Sequence, residues 1–195
     1  ELDKIYTADY YYVKFFDSDN GVIVCGYAKS NDTNESSRIY STSNGGESWD
    51  IVGSGPATNI IKGVVYVSSD VGFFCYDYVE GMDSNLYKTD DGGKTFAKVM
   101  LEEQELDSSA ANPQGQETET KTDSGKNGAD SSEQLRWGDV YKEALTPVVD
   151  STGIITIYLT QGKNAVYNDG KTAAKYQSSD KGSTWKYIGQ VEIKD

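Results

Sequence analysis

Three segments of this chain follow one eight-residue pattern, and that recurrence constrains the fold more than any other feature. They are Thr42-Ser43-Asn44-Gly45-Gly46-Glu47-Ser48-Trp49, Thr89-Asp90-Asp91-Gly92-Gly93-Lys94-Thr95-Phe96 and Ser178-Ser179-Asp180-Lys181-Gly182-Ser183-Thr184-Trp185. The shared order is hydroxyl, any residue, Asp or Asn, any residue, Gly, any residue, hydroxyl, aromatic. A pattern of this kind marks a repeat architecture, in which no unit buries its apolar face alone and stacked neighbours supply the core.

Short runs rich in aromatic and β-branched residues flank each segment, as strands do. Arg38-Ile39-Tyr40 and Trp49-Asp50-Ile51-Val52 flank the first, Leu86-Tyr87-Lys88 and Phe96-Ala97-Lys98-Val99 the second, and Ala174-Lys175-Tyr176 and Trp185-Lys186-Tyr187-Ile188 the third. The pattern therefore reads as a hairpin turn. Asn44, Asp91 and Asp180 are expected to accept bonds from backbone N–H groups inside it. Gly46, Gly93 and Gly182 fit a position needing positive φ. Thr42, Thr89 and Ser178 open the turn, and Ser48, Thr95 and Thr184 add side-chain-to-backbone bonds. Trp49, Phe96 and Trp185 pin it to its sheet.

A second similarity lies upstream. Phe16-Asp17-Ser18-Asp19-Asn20-Gly21, Val67-Ser68-Ser69-Asp70-Val71-Gly72 and Val149-Asp150-Ser151-Thr152-Gly153 each lead into an apolar run. Each unit is thus two hairpins, four antiparallel strands A to D. The expected class is all-β, and the expected unit is the blade of a β-propeller. Blade one spans about 10–52, blade two about 61–101 and blade three about 141–191, in one domain over 1–195. The patterns begin 47 and then 89 residues apart, and the surplus is a segment at about 102–134 without an aromatic residue. Its polar composition cannot bury enough apolar surface for a blade, so it is expected as an insertion.

These motifs resemble the Asp-box, or BNR repeat, of sialidase-like β-propellers. The resemblance implies that the boxes are C–D turns with a structural role, remote from any catalytic centre. Sialidase chemistry, as that family implies it, needs three arginines around a carboxylate, and this chain has only Arg38 and Arg136. The family's Arg-Ile-Pro motif is also missing, since Tyr40 follows Arg38-Ile39. The wording is similar as well to propeller assembly factors of the kind serving photosystem II. Phe15-Phe16-Asp17 and Asp91-Gly92-Gly93-Lys94-Thr95 fit that wording, with Phe96 where those factors carry Trp.

Composition narrows the function classes. The chain has no histidine, which removes Ser-His-Asp and Cys-His catalysis and most zinc sites. Calcium needs several converging oxygens. Only Asp90 and Asp91 adjoin, and the EF-hand-like start at Asp17 fails at Gly21 and Ala28. No metal and no cofactor is expected. A net charge of −13 argues against nucleic acid. No apolar run is long enough to span a bilayer. The start at Glu1, without Met, is read as the mark of a removed leader, which gives an extracellular or cell-surface location. Cys25 and Cys75 fall at non-equivalent positions of strand B and are expected as buried free thiols.

The boxes mark one end of the propeller, and ligands are expected at the other, where the B–C loops Lys29–Ser37, Val79–Ser84 and Gln161–Thr172 meet the D–A connection. Tyr78, Trp137, Tyr141 and Tyr167 lie there as candidates to stack on a sugar or anchor a protein; the alternative is that they cap the blade cores. The leading expectation is a non-catalytic domain binding a glycan or protein. The alternatives are a protein-binding assembly scaffold and a piece of a glycoside hydrolase lacking its other blades. Three blades fall short of the usual four to eight, so a homodimer completing the ring is a further expectation.

Overall fold

The computed structural model describes residues 8–27, 37–106, 136–162 and 167–193. The first sheet has the order β1 (Tyr10–Phe15), β2 (Gly21–Gly26), β3 (Ser37–Thr42), β4 (Asp50–Ser54). The second runs β5 (Ile61–Tyr66), β6 (Gly72–Tyr76), β7 (Leu86–Thr89), β8 (Ala97–Lys98). A short helix, α1 (Trp137–Val140), precedes the third sheet of β9 (Glu143–Ala144), β10 (Val148–Val149), β11 (Ile155–Thr160), β12 (Thr172–Ser178) and β13 (Lys186–Glu192). All pairings are antiparallel between neighbours. These are propeller blades, three of them, and they do not close into a ring. Residues 107–134 of the expected insertion, and the B–C loop at 29–36, lie outside the described residues.

Blade three departs from the expected four strands. Its A strand is split into β9 and β10, which both pair with β11, and the register slips by one residue between Ala144↔Leu159 and Val148↔Thr156. Pro147 lies in the gap; it has no N–H to give the ladder, which explains the break. The helix α1 was also not expected. Trp137 and Val140, three apart on one helical face, are both buried, and that contact holds the turn in place.

The blades stack face on face. Here the forward face of a blade is turned toward the next blade in sequence and the rear face toward the preceding one. Val22, Val24 and Ile39 of blade one meet Ile61, Val64, Tyr66, Phe74, Tyr76 and Tyr87 of blade two. Phe73, Cys75 and Leu86, on the other face of blade two, meet Ala144, Ile155 and Ile157. Strand β6 is therefore buried on both sides, and its adjacent Phe73 and Phe74 serve different seams. Each such ring contributes about 2–3 kcal/mol by leaving water. Polar side chains cap the innermost strand of blade two. Tyr10, Tyr12 and Lys14, spaced two apart on one face of β1, reach across to β5. The Tyr10 hydroxyl accepts from Val64 N (3.1 Å), the Tyr12 hydroxyl accepts from Tyr66 N (3.0 Å), and Lys14 Nζ donates to Tyr66 O (2.6 Å).

The three boxes share one hydrogen-bond plan. In the second, Thr89 Oγ1 donates to Asp91 Oδ1 (2.8 Å) and accepts from Gly93 N (2.8 Å). Asp91 Oδ1 also takes Thr95 N (2.9 Å), while Oδ2 takes Thr95 Oγ1 (2.6 Å). The third repeats this with Ser178, Asp180, Gly182 and Thr184 at 2.7, 2.8, 2.9 and 2.6 Å. In the first, Asn44 keeps the acceptor role toward Thr42 Oγ1 (2.9 Å) and Ser48 N (3.0 Å), and its amide donates to Ser48 Oγ (2.8 Å). Gly46, Gly93 and Gly182 have φ of 91°, 107° and 78°. The aromatics pack edge-on: Trp49 on Phe15, Phe96 on Phe74, and Trp185 on Phe73 of the preceding blade.

The bonds from Thr95 and Thr184 hold the Asp91 and Asp180 carboxyls far below their ordinary value of 3.8. Both groups favour the folded state when ionised. Their contribution is complete above pH 4 and is lost as pH falls through the lower folded-state values. Asp91→Asn and Asp180→Asn are each expected to lower stability at neutral pH and to flatten the acid limb below pH 4. Urea melts across pH would show this. Unchanged acid limbs in both variants would contradict the assignment.

Candidate functional site

A cleft of about 320 Å³ opens at the seam of blades two and three, at the end opposite the boxes. Three stretches build it. Tyr78 and Met82 come from the B–C loop of blade two, Val99, Met100, Leu101 and Glu103 from the chain leaving β8, and Arg136 to Asp139 with Tyr141 and Lys142 from α1 and its flanks. Its floor is Leu86, Ala144 and Leu159. Both methionines of the chain, Met82 and Met100, line it. Met82 Sδ is held by Asn59 Nδ2 (3.3 Å) and Val79 N (3.4 Å), while Met100 is exposed.

Three of the four aromatic candidates, Tyr78, Trp137 and Tyr141, line this cleft. The fourth, Tyr167, packs edge-on against Tyr141 behind it, with ring centroids 6.2 Å apart. Their exposures differ. Trp137, Tyr141 and Tyr167 are 3%, 3% and 1% exposed, so their faces are closed to a stacking ligand. They form one cluster with Ala174 and Tyr176, which Leu101 and Leu106 cover. The Tyr176 hydroxyl donates to Glu102 O (2.7 Å), which ties the start of the expected insertion to blade three. Tyr78 alone of the four is half-buried and reaches the mouth.

Charge rings the mouth. Lys142 Nζ pairs with Glu80 (2.8 Å), Lys98 Nζ with Asp83 (2.8 Å), and Arg136 Nε with Asp139 (3.9 Å). These pairs are solvated and contribute little to stability. They keep the rim polar around the apolar floor of Leu86, Ala144 and Leu159.

Behind the cleft stands Asn85, which sequence reasoning missed. It is 1% exposed and joins blade two to blade three. Its Nδ2 donates to Tyr76 O (2.8 Å) and Ala144 O (2.9 Å), and its Oδ1 accepts from Ala144 N (2.8 Å). No periodic signal marks it, because the equivalent positions are Arg38 and Ala174. Cys75 Sγ donates to the same Ala144 O (3.2 Å). Burial pushes the Cys75 thiol up to about 12 and that of Cys25 up to about 11, so both stay protonated and unreactive at neutral pH. Both are free. As their spacing implied, they face opposite ways, Cys25 on the rear of blade one and Cys75 on the front of blade two. No described helix is long and apolar enough to cross a membrane.

Neither a protein-family model nor a curated protein sequence matches the chain. Among solved structures, the chain is similar to the Niastella koreensis GH74 enzyme, at 16% identity and a TM-score of 0.43 over 85% of this chain and 19% of that one. It is also similar to YCF48 bound to D1 peptide, at 14% identity and a TM-score of 0.46 over 96% of this chain and 41% of that one. The chain thus spans less than half the length of either.

Proposed function

We propose that this protein is a non-catalytic, protein-binding module that takes an apolar side chain of a partner's peptide segment into the cleft between blades two and three. The observation that carries this reading is the lining. Two methionines and Tyr78 stand over an apolar floor of Leu86, Ala144 and Leu159, in a cleft whose walls also carry charged and polar side chains. Methionine adapts its shape to varied apolar partners, and such walls accommodate backbone and polar contacts around one anchor. Glycan recognition draws less support, since three of the four candidate aromatics bury their faces. The absence of histidine from the chain supports a non-catalytic role.

The test is selection of a random peptide library on the full chain, run beside a glycan array. Selected peptides should share an apolar anchor, and Met82→Glu should weaken them by about tenfold or more, one desolvated contact being worth that much. Peptides that bind Met82→Glu undiminished would overturn the reading. So would glycan hits that Tyr78→Ala abolishes while no peptide is selected.

A further inference from the structure

One charged side chain of the cleft stands apart from the others. Asp83, Asp139 and Lys142 are matched by Lys98, Arg136 and Glu80. Glu103 lines the same cleft, is exposed, and has no ion-pair or hydrogen-bond partner among the described residues.

The fold fixes where this carboxylate stands. Leu101 and Leu106 pack against the aromatic cluster of α1 and blade three, so the stretch 101–106 is held at both ends. Between them the Tyr176 hydroxyl donates to Glu102 O (2.7 Å), which pins the backbone next to Glu103. The side chain then lies against α1. A Cβ on Gly138 would overlap Glu103 Oε1 and lie 3.2 Å from its Cδ, and the third-nearest atom is Glu103 Oε2 at 3.7 Å. The carboxylate occupies the space that a side chain at position 138 would need, and no other residue crowds that space. Gly138 therefore gives Glu103 its seat at the cleft wall.

The charge balance decides what such a group receives. The cations of the cleft, Arg136 and Lys142, already face Asp139 and Glu80, so an acidic ligand would have to displace one of them. Glu102, Glu103 and Glu105 are all exposed, and residues 101–106 carry no cation. The net charge of −13 favours the approach of a cation and opposes that of an anion.

We infer that the peptide segment taken up by the cleft carries a lysine or arginine beside its apolar anchor, and that Glu103 receives this cation while Met82 and Tyr78 receive the anchor. The inference rests on the protein-binding reading above and adds a charge specificity to it. Glu103 touches the partner directly, and Gly138 is a positioning residue that acts through Glu103.

Peptides selected from a random library on the full chain test this, and enrichment of lysine or arginine next to the apolar anchor is expected. For one such peptide, fluorescence anisotropy should show Glu103→Gln weakening binding by about fivefold, the upper end for an exposed pair. The same variant should lose part of the salt dependence of binding. A version of the peptide with glutamine in place of its basic residue should bind the unsubstituted protein and Glu103→Gln equally, since the two changes remove one shared contact. Gly138→Ala should weaken the basic peptide and spare its glutamine version. Its backbone is not left-handed, and alanine favours a helix over glycine, so circular dichroism should show a retained fold. Selected peptides that share an apolar anchor without basic enrichment would overturn the inference and leave the protein-binding reading standing. A loss in Glu103→Gln that falls equally on both peptides would overturn it too, as the mark of a merely structural role. If no peptide is selected at all, both fail together.

Discussion

Asn85→Ala is expected to cost about 2–4 kcal/mol in urea unfolding, the sum of leaving two or three buried backbone groups without partners. The truncation removes an acceptor from Ala144 N and donors from Ala144 O and Tyr76 O in one step. Cys75 Sγ still donates to Ala144 O, which keeps the loss below the full sum. The damage should localise. Blade three meets blade two through Ala144, so hydrogen exchange should quicken at β9 and in the cleft before it quickens at β2 or β3. Asn85→Asp should be no rescue, because a carboxylate keeps the acceptor, loses both donors and adds a buried charge. Stability equal to the unsubstituted protein in Asn85→Ala would show that water replaces the amide and that the clamp is not structural.

Gly182→Ala should be of similar size, about 2–4 kcal/mol, for two separable reasons. A backbone at φ of 78° costs a residue with a Cβ about 1–2 kcal/mol. The new methyl would also sit 2.5 Å from the Phe73 ring, and overpacking of this kind costs about 1–3 kcal/mol more. The neighbouring Lys181 already occupies the left-handed region, at φ of 58°. Gly182 differs from it in being pressed between blades, so the steric part distinguishes the two positions. Gly46→Ala provides the comparison. It has the same backbone demand and no neighbour closer than 3.5 Å, and should therefore lose only the conformational part. Thermal melts of the two variants should differ; equal losses would show that Phe73 yields to the methyl without cost.

Much of this fold was legible because its information is local. Box hydroxyl, Asp and Gly contact one another within a few residues, so a single chain displays the whole device. The A–B turns are equally local: Asp17 accepts from Asp19 N and Asn20 N, and Asp150 from Thr152 N and Ile154 N. What escaped notice depends on partners far away in sequence. Asn85 meets Ala144 across the seam, and no pattern within the blade announces that. The break at Pro147 was visible as a proline, but its effect on strand A depended on the register against β11. The cleft was half legible. The loops that form it follow from strand order, which drew attention to Tyr78, Trp137 and Tyr141. Which of these rings stay open to solvent depends on Leu101, at the end of the segment read as blade two, and Leu106, in the segment read as an insertion, packing against their cluster, and neither position gave a sign of that.

The capping of β5 by Tyr10, Tyr12 and Lys14 has a consequence for colloidal behaviour. An innermost strand with bare N–H and C=O groups is a template for another chain to extend the sheet. Here the two hydroxyls and the ammonium of the preceding blade occupy that edge as soon as the blades dock. The same contacts that hold the seam together thus also deny β5 to intermolecular pairing, so protection from aggregation comes with assembly of the blades rather than from any one of them.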